Sequence, residues 1–163
     1  MPNPLVVNAL GEFTNPRQKL ILLSWNIGSL HSRLSWVLQL LQDHKPHALF
    51  LQEASDANGA VAALRVEVRT LGYCIHFDAH SKLITVHLRG LNIAPLRPEE
   101  IDQQEVGYVQ RFAWQITDTR VLVRHRHGHP NCSVSRKALN TVLGAEPVGE
   151  AVIDIGDFNE QCI

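Results

Sequence analysis

Polar residues that could hold a ligand follow three apolar stretches of this sequence. Asn26 ends a Ser-Trp-Asn triplet, Glu53 ends a Leu-Gln-Glu triplet, and Asp157 and Asn159 lie in a Gly-Asp-Phe-Asn tetrapeptide. In an open α/β sheet, ligands bind at the rim formed by the carboxyl ends of the strands. Residues of these types at strand ends therefore indicate a ligand site on such a rim.

The first two of these strand ends belong to one strand–helix–strand unit. Leu20–Ile27 has the length of a buried strand, and apolar residues recur at helical spacing from Leu30, with Ser32 as the expected N-cap. Lys45-Pro46 ends this helix, and 47–52 is a second buried strand. So short a connection predicts parallel neighbouring strands with a right-handed crossover, whose ends lie side by side.

The rest of the chain alternates between predicted helices and strands. We expect residues 1–18 to form an irregular lead-in and residues 19–163 to form one domain. The predicted elements are a helix over Ala57–Leu71 closed by Gly72, antiparallel strands at Tyr73–Phe77 and Leu83–Leu88, a surface loop over 90–105, a hairpin of Val109–Ile116 and Arg120–His127, a helix over Ser135–Leu143 and a strand at Ala151–Ile155.

Composition is that of a globular protein with a net charge close to zero. The 163 residues are 45% hydrophobic and 19% charged, and no apolar run is long enough to span a bilayer. The N-terminus lacks the basic start and apolar block of a secretory signal, so we expect a cytoplasmic or nuclear protein. Three scattered cysteines, Cys74, Cys132 and Cys162, argue against a disulfide framework and against a zinc knuckle.

Fifteen basic residues against sixteen acidic ones remove the simplest argument for nucleic-acid binding. One stretch is nevertheless locally basic. This basic patch is either a solvated face or a phosphate-binding surface, and the sequence leaves both open. It consists of Arg120, Arg124, Arg126, Arg136 and Lys137.

Taken in order, the Trp-Asn, Gln-Glu and Gly-Asp-Phe-Asn motifs resemble those of the endonuclease/exonuclease/phosphatase (deoxyribonuclease-I-like) family. The similarity extends approximately from Lys19 to Glu160 and includes Gly72-Tyr73. It implies an α/β fold, here part of a four-layer α/β sandwich in which two mixed β-sheets are flanked by helices.

The resemblance implies a Mg²⁺-dependent phosphoester hydrolase, with Mn²⁺ as a substitute metal. Glu53 would be the principal metal ligand and Asn26 would position metal and phosphate. Asp157 would orient or deprotonate the attacking water, and Asn159 would bond a phosphate oxygen in the transition state. Arg124 and Arg126, in the basic patch, would contact the substrate.

A histidine-rich segment adds a further candidate. In the family a strand here ends in a residue that contacts the scissile phosphate, with a proline shortly after, and His127 before Pro130 matches best. His125 replaces a commonly found Asn. On a strand, His125, His127 and His129 share one face, and two such histidines can chelate Zn²⁺. We rank phosphate contact by His127 first, partly exposed histidines without a ligand second and zinc third.

The family's domain continues past the Gly-Asp-Phe-Asn motif to a later Asp and a Ser-Asp-His segment, whereas this sequence stops four residues after Asn159. We therefore expect exposed edge strands and little or no catalysis from this polypeptide alone. A nuclease resembling retroelement endonuclease domains is the first function to test, with nucleic acid as partner. The alternatives are a phosphatase for a small phosphoester or lipid head group, a non-catalytic phosphate or nucleic-acid binding module, and a fragment without a stable fold.

Overall fold

The computed structural model of this chain describes residues 20–96, 109–116, 118–127 and 151–157. Within these residues two mixed four-stranded β-sheets pack face to face, and two helices cover the outer face of the first sheet. This is the α/β arrangement of two mixed sheets that the resemblance implied. The elements are β1 (Leu22–Asn26), α1 (Leu30–His44), β2 (Ala48–Gln52), α2 (Ala60–Thr70), β3 (Tyr73–Asp78), β4 (Leu83–Leu88), β5 (Ile93–Pro95), β6 (Val109–Ile116), β7 (Thr119–His127) and β8 (Ala151–Asp157).

The first sheet has the strand order β1-β2-β4-β3. Strands β1 and β2 are parallel and place Asn26 beside Gln52, which confirms the predicted parallel crossover unit. Strands β3 and β4 are antiparallel, again as predicted. Because β4 runs antiparallel to β2, the turn that precedes β4 lies next to the carboxyl end of β2.

Both helix starts differ from the sequence prediction. The N-cap of α1 is Ser29 in an extended conformation, whereas Ser32 lies inside the first turn and donates from Oγ to the Ser29 carbonyl oxygen. Helix α2 begins at Ala60 rather than 57, because Gly59 is left-handed at φ 69° and cannot continue a helix backwards. Gly72 follows α2 at φ 85°, the conformation expected of a closing glycine.

The second sheet has the order β5-β6-β7-β8. The hairpin of β6 and β7 is confirmed, and β8 is parallel to β7. The predicted surface loop over 90–105 is wrong in its first part, because β5 pairs with β6 and aligns Ile93 with Trp114. Pro95 is compatible with this strand, since β5 lies at an edge of the described sheet, where a missing N–H is tolerated.

Strand alternation divides the core into two layers. Leu49 and Leu51 of β2 face the helices and pack with Leu64 of α2. Phe50 points the other way and packs with Phe112 and Trp114 of the second sheet. Successive residues of β2 thus pack in different layers of the core.

Several predicted features fall outside the described residues. They are the lead-in up to residue 18, most of the loop beyond 96, the helix over Ser135–Leu143, Asn159, Cys132 and Cys162. In the described part of the chain, neither helix has the length and apolar character needed to cross a bilayer.

Candidate functional site

Asn26 joins carboxylates from the two sheets. Its Nδ2 donates to Glu53 Oε1 at 3.0 Å and to Asp157 Oδ2 at 2.8 Å. Its Oδ1 accepts from the Gly28 backbone N–H at 3.2 Å, which fixes the orientation of the amide. Both Nδ2 hydrogens are therefore directed at carboxylates, and Asn26 holds two negative groups close together at the rim.

Glu53 is held in a strained backbone conformation at the end of β2. Its φ is 56°, in the left-handed region that a residue with a side chain seldom adopts. The backbone is fixed on both sides, because Ile27 N donates to the Gln52 carbonyl at 3.1 Å and Ala54 N donates to the Lys82 carbonyl at 2.9 Å. The Glu53 side chain is 44% exposed, so its oxygens are accessible from solvent. Strained residues held in this way are concentrated at functional sites.

The second sheet supplies His127 and Asp157 as a pair. They are register partners at the ends of β7 and β8. His127 is buried, and its Nε2 lies 3.4 Å from Glu53 Oε1. The rim is thus formed by the ends of β1 and β2 from the first sheet and of β7 and β8 from the second.

Gly156 allows β8 to approach β7 closely enough to form this pair. Its φ is 144°, and a Cβ at this position would lie 1.9 Å from the Arg126 carbonyl oxygen. No side chain can be accommodated there. The glycine of the Gly-Asp-Phe-Asn motif is therefore a steric requirement for bringing Asp157 to the rim.

Four of the predicted site residues are brought together, namely Asn26, Glu53, His127 and Asp157. The two carboxylates are oxygen ligands of the kind that Mg²⁺ prefers. Glu53, which is accessible, is the residue that would hold the ion, whereas Asn26 presents Nδ2 to both carboxylates and would position them. No group of three or more His, Cys, Asp or Glu side chains within the described ranges already has the spacing of a metal site.

Arg124 and Arg126, which were predicted to contact the substrate, are buried and bound to Asp154. Alternation along β7 directs them to the opposite face from His127. Both are 3% exposed and bind Asp154 of β8, with Nε–Oδ1 distances of 2.7 Å and 2.9 Å. Burial lowers the pKa of Arg126, while the charge of Asp154 opposes that shift.

The predicted partial exposure of His125 is also wrong. The side chain is fully buried between the sheets, in edge-to-face contact with Phe50. Burial, and secondarily the charge of His127, lowers its pKa to about 3. Its Nδ1 lies 3.0 Å from Thr85 Oγ1 and its Nε2 lies 2.7 Å from Gln52 Nε2, so protein atoms occupy both positions that a zinc ion would need. His129 lies outside the described residues.

Sequence reasoning missed Asp154 and the contacts of Gln52. Asp154 is aligned with Arg124 in the pairing of β7 with β8, a relationship that the opposite charges of the two residues could have indicated once the register of the strands was known. Gln52 was treated as part of a dipeptide motif, although its buried amide contacts the second sheet. No local signal identifies such a contact.

No family model matches the sequence, and no curated protein sequence matches it. Solved structures do resemble the fold. D. rerio TDP2 in complex with a single-stranded DNA product has a TM-score of 0.64 at 20% identity over 88% of this chain and 62% of the other. A humanized D. rerio TDP2 with 14 mutations has a TM-score of 0.63 at 18% identity, over 87% of this chain and 67% of the other.

Two further structures are of phosphatases. The Neisseria 3′ phosphatase NExo, bound to a product DNA hairpin, has a TM-score of 0.54 at 21% identity, over 86% of this chain and 58% of the other. The 2′,3′-cyclic phosphatase ANGEL2 has a TM-score of 0.53 at 17% identity, over 78% of this chain and 44% of the other. All three proteins are endonuclease/exonuclease/phosphatase members, and this chain spans between 44% and 67% of these four structures. The chain therefore has the fold of the endonuclease/exonuclease/phosphatase (deoxyribonuclease-I-like) superfamily, and the resemblance of its sequence motifs is confirmed at the level of the fold.

Proposed function

We propose that this chain is a divalent-metal-dependent phosphoester hydrolase. The observation that supports this most directly is the placement of Glu53 and Asp157, from different sheets, on the same amide of Asn26. Bringing two carboxylates together is unfavourable unless a cation or a donor compensates their charges. Hydrolysis of phosphoesters needs such a site, because the metal neutralises charge on the transferring group.

The roles follow from position. Glu53, whose side chain is 44% exposed, would hold Mg²⁺ or Mn²⁺, which when bound would polarise the phosphate, and Asn26 would position both carboxylates through Nδ2. Asp157 is held by Asn26 and would orient or deprotonate the attacking water. His127 lies beside Glu53 and would contact the phosphate. Asn159, outside the described residues, is proposed to bond a phosphate oxygen.

Nucleic acid is the first substrate class to test. TDP2 and NExo, two of the proteins with this fold, are seen with DNA products. The proposal for this chain is cleavage of a phosphodiester in a nucleic acid, and the single-stranded DNA product bound to TDP2 makes a single strand the first form to test.

A small phosphoester is the second candidate, and one observation favours it. Arg124 and Arg126 were part of the reason for proposing nucleic acid, and both are instead buried against Asp154. The rim itself carries the carboxylates of Glu53 and Asp157. A small substrate needs fewer cationic contacts than a nucleic-acid backbone does, and ANGEL2 is a precedent with this fold.

The test compares wild type with Glu53→Gln and Asp157→Asn. Both substitutions remove a charge while keeping the size of the side chain. Each protein is incubated with Mg²⁺, Mn²⁺ or EDTA and an end-labelled single-stranded oligonucleotide, or with bis(p-nitrophenyl) phosphate as a small diester. Mn²⁺ binding is measured separately by calorimetry.

We expect metal-dependent cleavage that either substitution reduces by about a hundredfold or more. Mn²⁺ binding should be lost in Glu53→Gln. If folded wild type binds Mn²⁺ through Glu53 without cleaving either substrate, a non-catalytic binding module is favoured. If it binds nucleic acid with a steep salt dependence, no cleavage and no effect of Glu53→Gln, the hydrolase proposal is wrong.

A further inference from the structure

A second connection between the sheets lies one layer beneath the rim. Gln52 precedes Glu53 on β2, and His125 lies two residues before His127 on β7. Their Nε2 atoms are 2.7 Å apart, and both residues are buried. The contact is continued by Gln110 on β6, whose Oε1 lies 3.1 Å from His125 Nδ1. We call Gln52, His125 and Gln110 the inter-sheet bridge.

Gln110 determines which nitrogen of His125 carries the proton. Its Nε2 donates to two backbone carbonyl oxygens, those of His76 at 3.3 Å and Leu83 at 3.2 Å. The amide orientation is therefore fixed with Oε1 facing His125. Because that oxygen only accepts, His125 Nδ1 must donate to it.

Thr85 is consistent with the same assignment. Its hydroxyl donates to Gln110 Oε1 at 2.8 Å, and its oxygen then accepts from His125 Nδ1 at 3.0 Å.

Gln52, in the other sheet, contacts the second nitrogen of the His125 ring. Its Nε2 donates to the Phe50 carbonyl oxygen at 3.1 Å, which identifies this atom as the amide nitrogen. The same nitrogen donates to Ser24 Oγ at 3.2 Å and faces His125 Nε2 at 2.7 Å, which is consistent with an unprotonated ring atom there. A second proton on the ring would place two donors against each other. Gln110 thus requires a proton on Nδ1, and the contact with Gln52 fits the neutral Nδ1–H tautomer.

We infer that His125, as this neutral tautomer, is a positioning residue that sets the spacing between Glu53 and His127 by joining Gln52 to Gln110. The inference rests on the proposed function for its catalytic consequence. Gln52 is adjacent in sequence to Glu53, His125 lies two residues before His127, and Gln110 donates to two backbone carbonyl oxygens. Gln52 also anchors the strained Glu53, since its carbonyl oxygen accepts from Ile27 N. A change in the length of the bridge therefore moves the two rim residues relative to each other.

The expected effect of replacing His125 depends on its hydrogen-bonding groups and not on the volume of its side chain. His125→Gln keeps one donor and one acceptor, whereas His125→Leu has similar volume but leaves Gln52 Nε2 and Gln110 Oε1 without this partner. A matched control is His76→Leu, which removes a histidine side chain and retains the backbone carbonyl that accepts from Gln110. His76 Nε2 lies 3.0 Å from His87 Nε2, so this variant also breaks a contact between interior side chains, on a strand that β4 separates from β2.

The experiment has one arm that does not depend on activity. Long-range ¹H–¹⁵N NMR spectra of wild type near neutral pH should show His125 protonated at Nδ1 alone. His125→Leu should shift the ring nitrogens of His127, and His76→Leu should not. A His125 ring that is cationic or protonated at Nε2, or an unshifted His127, overturns the inference.

The second arm uses Mn²⁺ alone as the probe. In folded protein well below the melting temperature, His125→Leu should weaken Mn²⁺ binding about tenfold, while His125→Gln recovers most of it and His76→Leu leaves it unchanged. Equal losses in His125→Leu and His76→Leu would mean a merely structural role and overturn the inference. If wild type binds no Mn²⁺ and cleaves nothing, the proposed function fails, and the NMR arm still decides whether His125 positions His127.

Discussion

Asn26 Nδ2 lies 2.8 Å from Asp157 Oδ2, although 131 residues separate the two in the sequence. The contact joins the carboxyl end of β1 in one sheet to that of β8 in the other. Because the same nitrogen also donates to Glu53, this amide controls how close two carboxylates are at the rim.

Replacing the amide by a third carboxylate should make the folded protein dependent on a cation. We expect Asn26→Asp to lower the free energy of unfolding by about 2 kcal/mol without metal, because two hydrogen bonds become repulsions. Mn²⁺ should recover most of this loss. Differential scanning calorimetry with EDTA and with Mn²⁺ measures both. Asn26→Ala is the control, and an Asn26→Asp protein as stable as wild type in EDTA would contradict the prediction.

Gly156 and Gly72 are a matched pair of glycines for testing how closely β8 approaches β7. Gly156→Ala should cost about 3 kcal/mol or more, because its Cβ would meet the Arg126 carbonyl oxygen. Gly72→Ala should cost only about 1 kcal/mol, since its φ is 85° and nothing lies within 4 Å of the added Cβ. Urea denaturation measures the difference, and similar costs would show that β8 does not approach β7 this closely.

Because the backbone at Glu53 is strained, glycine should be more stable than alanine at this position, which is the reverse of the usual order in a helix. Glu53→Gly should be about 1 kcal/mol more stable than Glu53→Ala, because φ is 56° there. At Glu67, exposed on α2, the order should reverse, with glycine about 1 kcal/mol less stable than alanine. Chemical denaturation of the four variants tests this. The same order at both positions would rule out strain at Glu53.

Acid should destabilise the fold through its buried histidines. Burial lowers the pKa of His125 to about 3 and that of His76 to about 4, with neighbouring histidine charges as the second cause. Below the ordinary histidine pKa of 6.5 the unfolded chain binds more protons than the folded one. Stability is therefore complete above that pH and is lost as pH falls towards the folded values.

The loss should approach roughly 1.4 kcal/mol per pH unit for each such histidine. Urea midpoints measured between about pH 7.5 and about pH 5 test it above the range in which most carboxylates titrate. His76→Leu should reduce the slope of the free energy of unfolding against pH by about 1.4 kcal/mol per pH unit, the contribution of one histidine. A slope that is the same in this variant, or a flat profile in wild type, would contradict the assignment.

The buried Arg124–Asp154–Arg126 cluster should matter for stability and not for substrate. Asp154→Asn should cost about 3 kcal/mol or more, because it leaves two buried guanidinium groups without their carboxylate. Arg65→Gln on the exposed side of α2 should cost less than about 0.5 kcal/mol. Thermal melts give the costs, and the Km of folded Arg126→Gln should equal that of wild type; a raised Km would restore Arg126 as a substrate contact.

Much of the fold was predictable because its signals are local. The apolar run before Asn26, the helical spacing from Leu30 and the run before Glu53 fix one parallel unit, and the structure has it. The helix starts were less accurate, since Ser29 and Ser32 are both plausible caps and only one has extended backbone. Strand β5 was missed because a three-residue edge strand containing Pro95 carries almost no pattern.

The sequence by itself determined which polar residues end the strands, because apolar runs and the glycines that interrupt them are visible in the local sequence. It also determined that His125 and His127 share a face, since strands have a period of two. Only the tertiary structure decided what each face meets. Asp154 pairs with both arginines, Gln52 meets His125, and Asn26 reaches Asp157, because two sheets pack in one particular register. Such pairings depend on chain segments far apart in sequence, so no local pattern specifies them.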